Sequence, residues 1–113
     1  MIQLNYKKNI LYINNKDVVC PQKIIKVFEL KDLIIVFLDP DAETNKKMKY
    51  KNLMAYNING ELVWKAELPE SNMINDAYWK VYSSYPLRAN SFSSYECEID
   101  INTGKILKAT FYK

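Results

Sequence analysis

Two cysteines, Cys20 and Cys97, a run of serines at Ser83, Ser84, Ser91, Ser93 and Ser94, and no histidine bound the covalent chemistry open to this chain. A thiol or hydroxyl nucleophile needs a base within hydrogen-bond reach, and imidazole is the usual one. The serines show no nucleophile-elbow spacing, and the cysteines form no CxxC pair, so neither catalysis nor a zinc site is expected. In a reducing compartment the cysteines read as free, buried residues; a bridge between different strands is the alternative.

Charged clusters offer binding rather than turnover. Asp39, Asp41 and Glu43 alternate as oxygen ligands do, but a calcium loop needs more ligands, a turn glycine and a closing bidentate carboxylate. Lys46, Lys47, Lys49 and Lys51 form a positive run that suits phosphate or an acidic partner, and equally a solvated loop. The formal net charge of +3 is too small to specify nucleic acid. A single-strand binder would add an aromatic platform, for which Trp79, Tyr82 and Tyr85 are the candidates.

The stretch from Tyr78 to Arg88, YWKVYSSYPLR, has the residue types that dominate protein interfaces. Strict strand alternation sets Tyr78, Lys80 and Tyr82 on one face and Trp79 and Val81 on the other. With Lys80 in water, tyrosines of its face are expected to be exposed, and Trp79 packs inward. Further on, Glu96, Glu98 and Asp100 alternate with Tyr95, Cys97, Ile99 and Ile101. Burying the carboxylates would be prohibitive, so they point outward, complementary to a cationic partner. The candidate contact set is therefore Tyr78, Trp79, Tyr82, Tyr85, Arg88, Glu96, Glu98 and Asp100.

Short β-hairpins must position these residues. Asn59-Gly60 separates two β-rich runs within Asn52 to Glu67 and predicts a two-residue type I′ turn. Asn102-Thr103-Gly104 repeats the arrangement near the C-terminus and Asn14-Asn15-Lys16 near the N-terminus, at roughly 45-residue intervals typical of repeat architectures. Residues 1 to 20 read as one hairpin. The run from Lys23 to Leu30 reads as a strand with Ile24, Phe28 and Leu30 on one face, its β-branched content outweighing the competing reading of a helix that begins after Pro21. LIIVFL, from Leu33 to Leu38, reads as a central strand covered on both sides. Asp39 to Tyr50 is a polar loop. In the strand after Gly60, Leu62, Trp64, Ala66 and Leu68 share a face. Ala77 to Tyr82 and Leu87 to Phe92 join across Tyr85-Pro86, and a last hairpin closes the chain. The 113 residues, 49% of them hydrophobic, suit one domain with one core. The expected fold is all-β: an antiparallel meander of roughly eight to ten strands, too long for one open sheet, closing as a sandwich or barrel.

AYNINGELVW and EIDINTGKIL resemble the hairpin of quinoprotein-like (PQQ-type) β-propeller repeats, A-x-D-x-x-T-G-x-x-x-W. Asn57 or Asp100 stands at the Asp, Gly60 or Gly104 at the Gly, and Trp64 at the Trp. The resemblance implies two four-stranded blade-like units, Lys23 to Leu68 and Ala77 to Phe111, too few to close a propeller. Nothing matches a quinone, calcium or substrate site, so no cofactor is implied. In size, class and missing catalytic set the chain also resembles immunity proteins of polymorphic and contact-dependent toxin systems. That resemblance implies a bacterial, non-enzymatic protein whose partner is a cognate toxin, a nuclease, neutralised by steric occlusion. The alternative is a carrier holding one apolar molecule inside a closed barrel. No stretch approaches the roughly 18 apolar residues of a membrane span, and MIQLNYKKN lacks the apolar region of a secretory signal. The expected location is the cytoplasm.

Overall fold

The computed structural model describes residues 2–41 and 49–112. Asp39, Asp41, Lys49 and Lys51 of the charged loop lie among these, outside any strand, whereas Glu43, Lys46 and Lys47 lie outside the described residues.

Eleven strands are formed among the described residues, and every pairing is antiparallel between neighbours in sequence. β1 (Leu4–Lys7), β2 (Ile10–Ile13) and β3 (Lys16–Val19) make an N-terminal sheet, so the first 20 residues are a three-stranded meander rather than a single hairpin. β4 (Ile24–Leu30), β5 (Leu33–Leu38), β6 (Leu53–Tyr56) and β7 (Leu62–Lys65) make a middle sheet. β8 (Tyr78–Ser84), β9 (Leu87–Ser91), β10 (Tyr95–Ile99) and β11 (Ile106–Phe111) make a C-terminal sheet. The three are stacked as open layers and do not close on themselves. The fold is thus a β-sandwich and, among the described residues, not a closed barrel.

The middle sheet explains the stacking. Strand side chains alternate between faces, so a strand apolar at every position needs cover on both. In β5, Ile34, Val36 and Leu38 pack with Leu11, Ile13 and Cys20 of the N-terminal segment, along with Met54 and Tyr56. Ile35 and Phe37 face the other way, with Leu53, Ala55 and Trp64, against Tyr78, Val81, Leu87, Ala89, Cys97 and Ile99. Cys20 and Cys97 are therefore free thiols in separate layers.

Bulges override alternation at several points. A register break between Ile24 and Lys26 moves Ile24 to the N-terminal layer, away from Leu30 and Phe28, with which strict alternation would group it. Another, between Ala55 and Tyr56, leaves Leu62 48% exposed while Trp64 is buried, so those two do not share a covered face. The Asn57–Glu61 turn is not the expected type I′. Only Gly60 has positive φ (+81°), and the Asn57 carbonyl accepts from the Gly60 amide at 3.0 Å. The Asn57 side chain explains the preference: its Oδ1 accepts from the amides of Asn59 (2.9 Å) and Glu61 (3.0 Å), a local substitute for turn hydrogen bonds. Asp100 does the same in the last turn, accepting from the Asn102 amide at 2.9 Å.

The layers are latched at the turns. Trp64, on β7, donates from Nε1 to the Ile101 carbonyl at 2.8 Å, and its ring lies where a Cβ on Gly104 would come within 2.8 Å. Glycine is required there for space and for its φ of +77°. The contact between the N-terminal and middle sheets is analogous: Val18 lies 2.9 Å from where a Gly60 Cβ would stand. A buried amide adds a second tie. Asn52 donates to the carbonyls of Leu38 (3.1 Å) and Tyr78 (2.7 Å) and accepts from the Tyr78 amide (3.0 Å), joining middle and C-terminal sheets without an unpaired polar atom on that side chain.

Candidate functional site

The outer face of the C-terminal sheet corresponds to the face by which the middle sheet contacts its neighbour, yet it is polar. Gly60 precedes Trp64 by the same interval as Gly104 precedes Lys108, so a lysine stands where the preceding unit has its latch. Cross-strand pairing aligns Arg88 with Glu98 and Glu98 with Lys108 in one row. The next row runs Lys80, Asn90, Glu96 and Thr110. Opposite charges on neighbouring strands favour this arrangement modestly. Arg88 Nε lies 3.4 Å from Glu98 Oε1, both partly exposed, so the pair contributes under about 1 kcal/mol. Among the described residues it is the one ion pair. A hollow of about 170 Å³ between Arg88, Glu96, Glu98, Lys108 and Thr110 marks this face. Asn90 Oδ1 is enclosed and has no hydrogen-bond partner among the described residues.

Two bulges in β8 place its aromatics. Register breaks between Tyr78 and Lys80, and between Val81 and Ser83, make Trp79 and Tyr82 the extra residues. Tyr82 is 41% exposed at the rim of the polar face. Hydrogen bonding to the Glu96 carboxylate is the main force holding its hydroxyl above the ordinary phenol range, since ionisation would set two negative charges together. Trp79 is 40% exposed and donates to the Tyr112 hydroxyl at 3.1 Å, contrary to the core position that alternation predicts. Tyr78 is fully buried and cannot be a contact residue. Its hydroxyl donates to the Glu67 carbonyl at 2.6 Å, and burial above all, with Cys97 nearby, keeps it neutral far into alkali.

Tyr85 and Asp100 fall around the corner. With Lys31, Pro86, Glu98 and Leu107 they line a groove of about 480 Å³ at the turn end of the sheet. Tyr85 is 63% exposed, and Lys31 Nζ stands 5.0 Å from its ring centroid. Seven of the eight predicted residues are thus at the surface. Tyr82, Arg88, Glu96 and Glu98 share one face, Tyr85 and Asp100 join it through Glu98, and Trp79 lies at the opposite end of β8. Sequence reading missed Lys31, Lys108 and Leu107. Lys31 arrives from the middle sheet, which no local pattern signals. The glycine-to-lysine interval could have revealed Lys108.

The thiols are poorly placed for nucleophilic chemistry. Burial is the largest influence on both Cys20 and Cys97 and raises their pKa values, disfavouring the thiolate. Among the described residues no group of three or more Cys, Asp or Glu side chains is placed to hold a metal ion. No helix there is long and apolar enough to cross a membrane.

A family model described as domain of unknown function (DUF7957) matches residues 1–111. The chain belongs to this family. No curated protein and no solved structure is similar to it. The outer face of the C-terminal sheet of this DUF7957 domain presents aromatic, guanidinium and carboxylate groups.

Proposed function

We propose that this DUF7957 domain is a non-enzymatic binding module that grips another protein with the outer face of its C-terminal sheet. The observation that carries the reading is the gathering of Tyr82, Arg88, Glu96 and Glu98 on one open sheet face, with Tyr85 and Asp100 adjoining. Tyrosine and arginine bury large areas at low entropic cost, and paired carboxylates give charge specificity. The partner is a cognate bacterial toxin, a nuclease, met in the cytoplasm and neutralised by covering its active surface. Supporting this finer reading are the small β-sandwich, the enclosed thiols and the carboxylates turned outward, which complement the cationic surface a nuclease needs for its own substrate. The sheets themselves read as blade-like repeats, supported by the meeting of the motif tryptophan, Trp64, with the motif glycine, Gly104, across two layers.

Co-expression with the product of the adjacent toxin-type gene, followed by affinity capture, tests the proposal. A stoichiometric complex and rescued growth are expected, with both diminished by the double substitution Tyr82→Ala and Arg88→Ala. Capture of nothing, or protection untouched by those changes, overturns it.

A further inference from the structure

We propose that the groove at the turn end of the C-terminal sheet is a notch for an arginine side chain presented by a protein partner. A guanidinium would stack on Tyr85 and be neutralised by Asp100 and Glu98. The inference rests on the protein-binding reading above and names the chemistry that one end of that surface would take.

Charge selects the occupant. The groove of about 480 Å³ continues through Lys31, Ile101 and Asn102 into a second hollow of about 270 Å³, where Asp32 joins the wall. Together they set the carboxylates of Asp32, Glu98 and Asp100 against Lys31 and the Arg88 guanidinium that pairs with Glu98, three anions to two cations, although the whole chain carries +3. An anionic ligand would be repelled here and a cation drawn in. Asp100 uses only Oδ1 in its turn, on the Asn102 amide, so Oδ2 has no partner among the described residues. Among the described residues Glu98 has the 3.4 Å contact to Arg88 and no other side-chain partner.

The apolar walls select the form of the cation. Tyr85, Pro86 and the 61% exposed Leu107 suit the methylenes of a long side chain, whose charged head stays near water. The Tyr85 ring already attracts a cation: Lys31 Nζ lies 5.0 Å from its centroid. Lys31 makes no ion pair among the described residues and sits exposed on a turn, so it is free to swing away. A guanidinium, planar and more weakly hydrated than an ammonium, stacks better on the same face and can bond a carboxylate through two donors. Lys31 then acts as a placeholder that a partner's arginine displaces.

The probe is the blocked peptide acetyl-Gly-Arg-Gly-amide, titrated into ¹⁵N-labelled protein at low ionic strength, with its citrulline counterpart as the neutral isostere. Saturable shifts are expected at Tyr85, Leu87, Asp100, Asn102 and Leu107 for arginine, not for citrulline. Tyr85→Ala and Asp100→Asn should each weaken binding about two- to fivefold. Asp100→Asn leaves the turn intact, because an asparagine, Asn57, braces the equivalent turn of the middle sheet. Lys31→Ala should tighten binding, which a merely structural lysine would not do. No saturable shift, an equal response to citrulline, or indifference to Tyr85→Ala and Asp100→Asn overturns the notch. Full capture of the protein partner by the Tyr85→Ala, Asp100→Asn double variant would also overturn it while leaving the binding module standing. Arginine binding without any captured protein would support the notch and remove the module's toxin partner.

Discussion

Replacing Trp64 by alanine removes the indole that latches the middle sheet to the last turn of the C-terminal sheet. Trp64 is only 6% exposed, and an indole so enclosed buries about 200 Å², or about 5 kcal/mol at roughly 25 cal/mol per Å². The mutational range for such truncations is about 3–5 kcal/mol, which includes the cavity left behind. Gly104→Ala attacks the same contact from the other side. The left-handed φ of +77° costs an alanine about 1–2 kcal/mol, and a Cβ only 2.8 Å from the indole adds about 1–3 kcal/mol of overpacking. With the indole gone the steric part vanishes, so Gly104→Ala in the Trp64→Ala background should cost only the conformational part. The double-variant cycle should therefore show a coupling of about 1–3 kcal/mol, with the double variant more stable than the sum of the singles predicts. Urea unfolding followed by far-ultraviolet circular dichroism at 25 °C measures each corner, with the slope checked for constancy. Additivity within about 0.5 kcal/mol would refute the latch as the tie between the sheets.

Two further outcomes follow from buried polar groups. Asn52→Leu strands the Tyr78 amide and the carbonyls of Leu38 and Tyr78 in the interior, so a loss of about 2–4 kcal/mol in urea unfolding is expected. A loss under 1 kcal/mol would mean that water replaces the side chain. The second concerns alkali. Burial raises Cys20 and Cys97 above the ordinary thiol value of 9.0, pushes Tyr50 up to about 12, and raises Tyr56 and Tyr78 above the ordinary phenol value of 10.0. The folded chain thus holds protons that the unfolded chain releases as pH climbs through 9 and 10. Stability is full below that point and falls with further rise. Tm should decline between pH 8 and 11, and both thiols should resist Ellman's reagent at pH 8 until urea is added. A flat Tm over that range, or rapid native labelling, would contradict the enclosed placement.

Much of this architecture is legible along the chain because it rests on local rules. LIIVFL has no polar face to offer water, so it had to be a strand covered on both sides, as β5 is. Glu96 and Glu98 could not be buried unpaired, which settled the inward direction of Cys97 and Ile99. Asn59-Gly60 and Asn102-Thr103-Gly104 marked the places of two turns, while the braces by Asn57 and Asp100 that shape them emerged only in the structure. The candidate surface was legible to the same degree: Tyr82, Tyr85, Arg88 and the carboxylates lie exposed or half-exposed where alternation and charge put them.

What alternation could not supply was the position of its own interruptions. Tyr78 and Trp79 exchange their expected roles because β8 bulges at Trp79, which puts Tyr78 in phase with the inward Val81. Ile24 changes layers and Leu62 turns outward for the same reason. A bulge adds a residue to one strand only, and whether it pays depends on how two twisted layers meet side chain to side chain. That meeting also decides the number of layers, brings Lys31 from one sheet beside Tyr85 of the next, and sets Trp64 over Gly104. By itself the sequence determined that the chain is all-β, where most of its strands and turns fall, and the outward direction of Glu96 and Glu98, since these follow from neighbours within a few residues. Only the tertiary structure decided which faces touch, because contacts between residues tens of positions apart have no local trace.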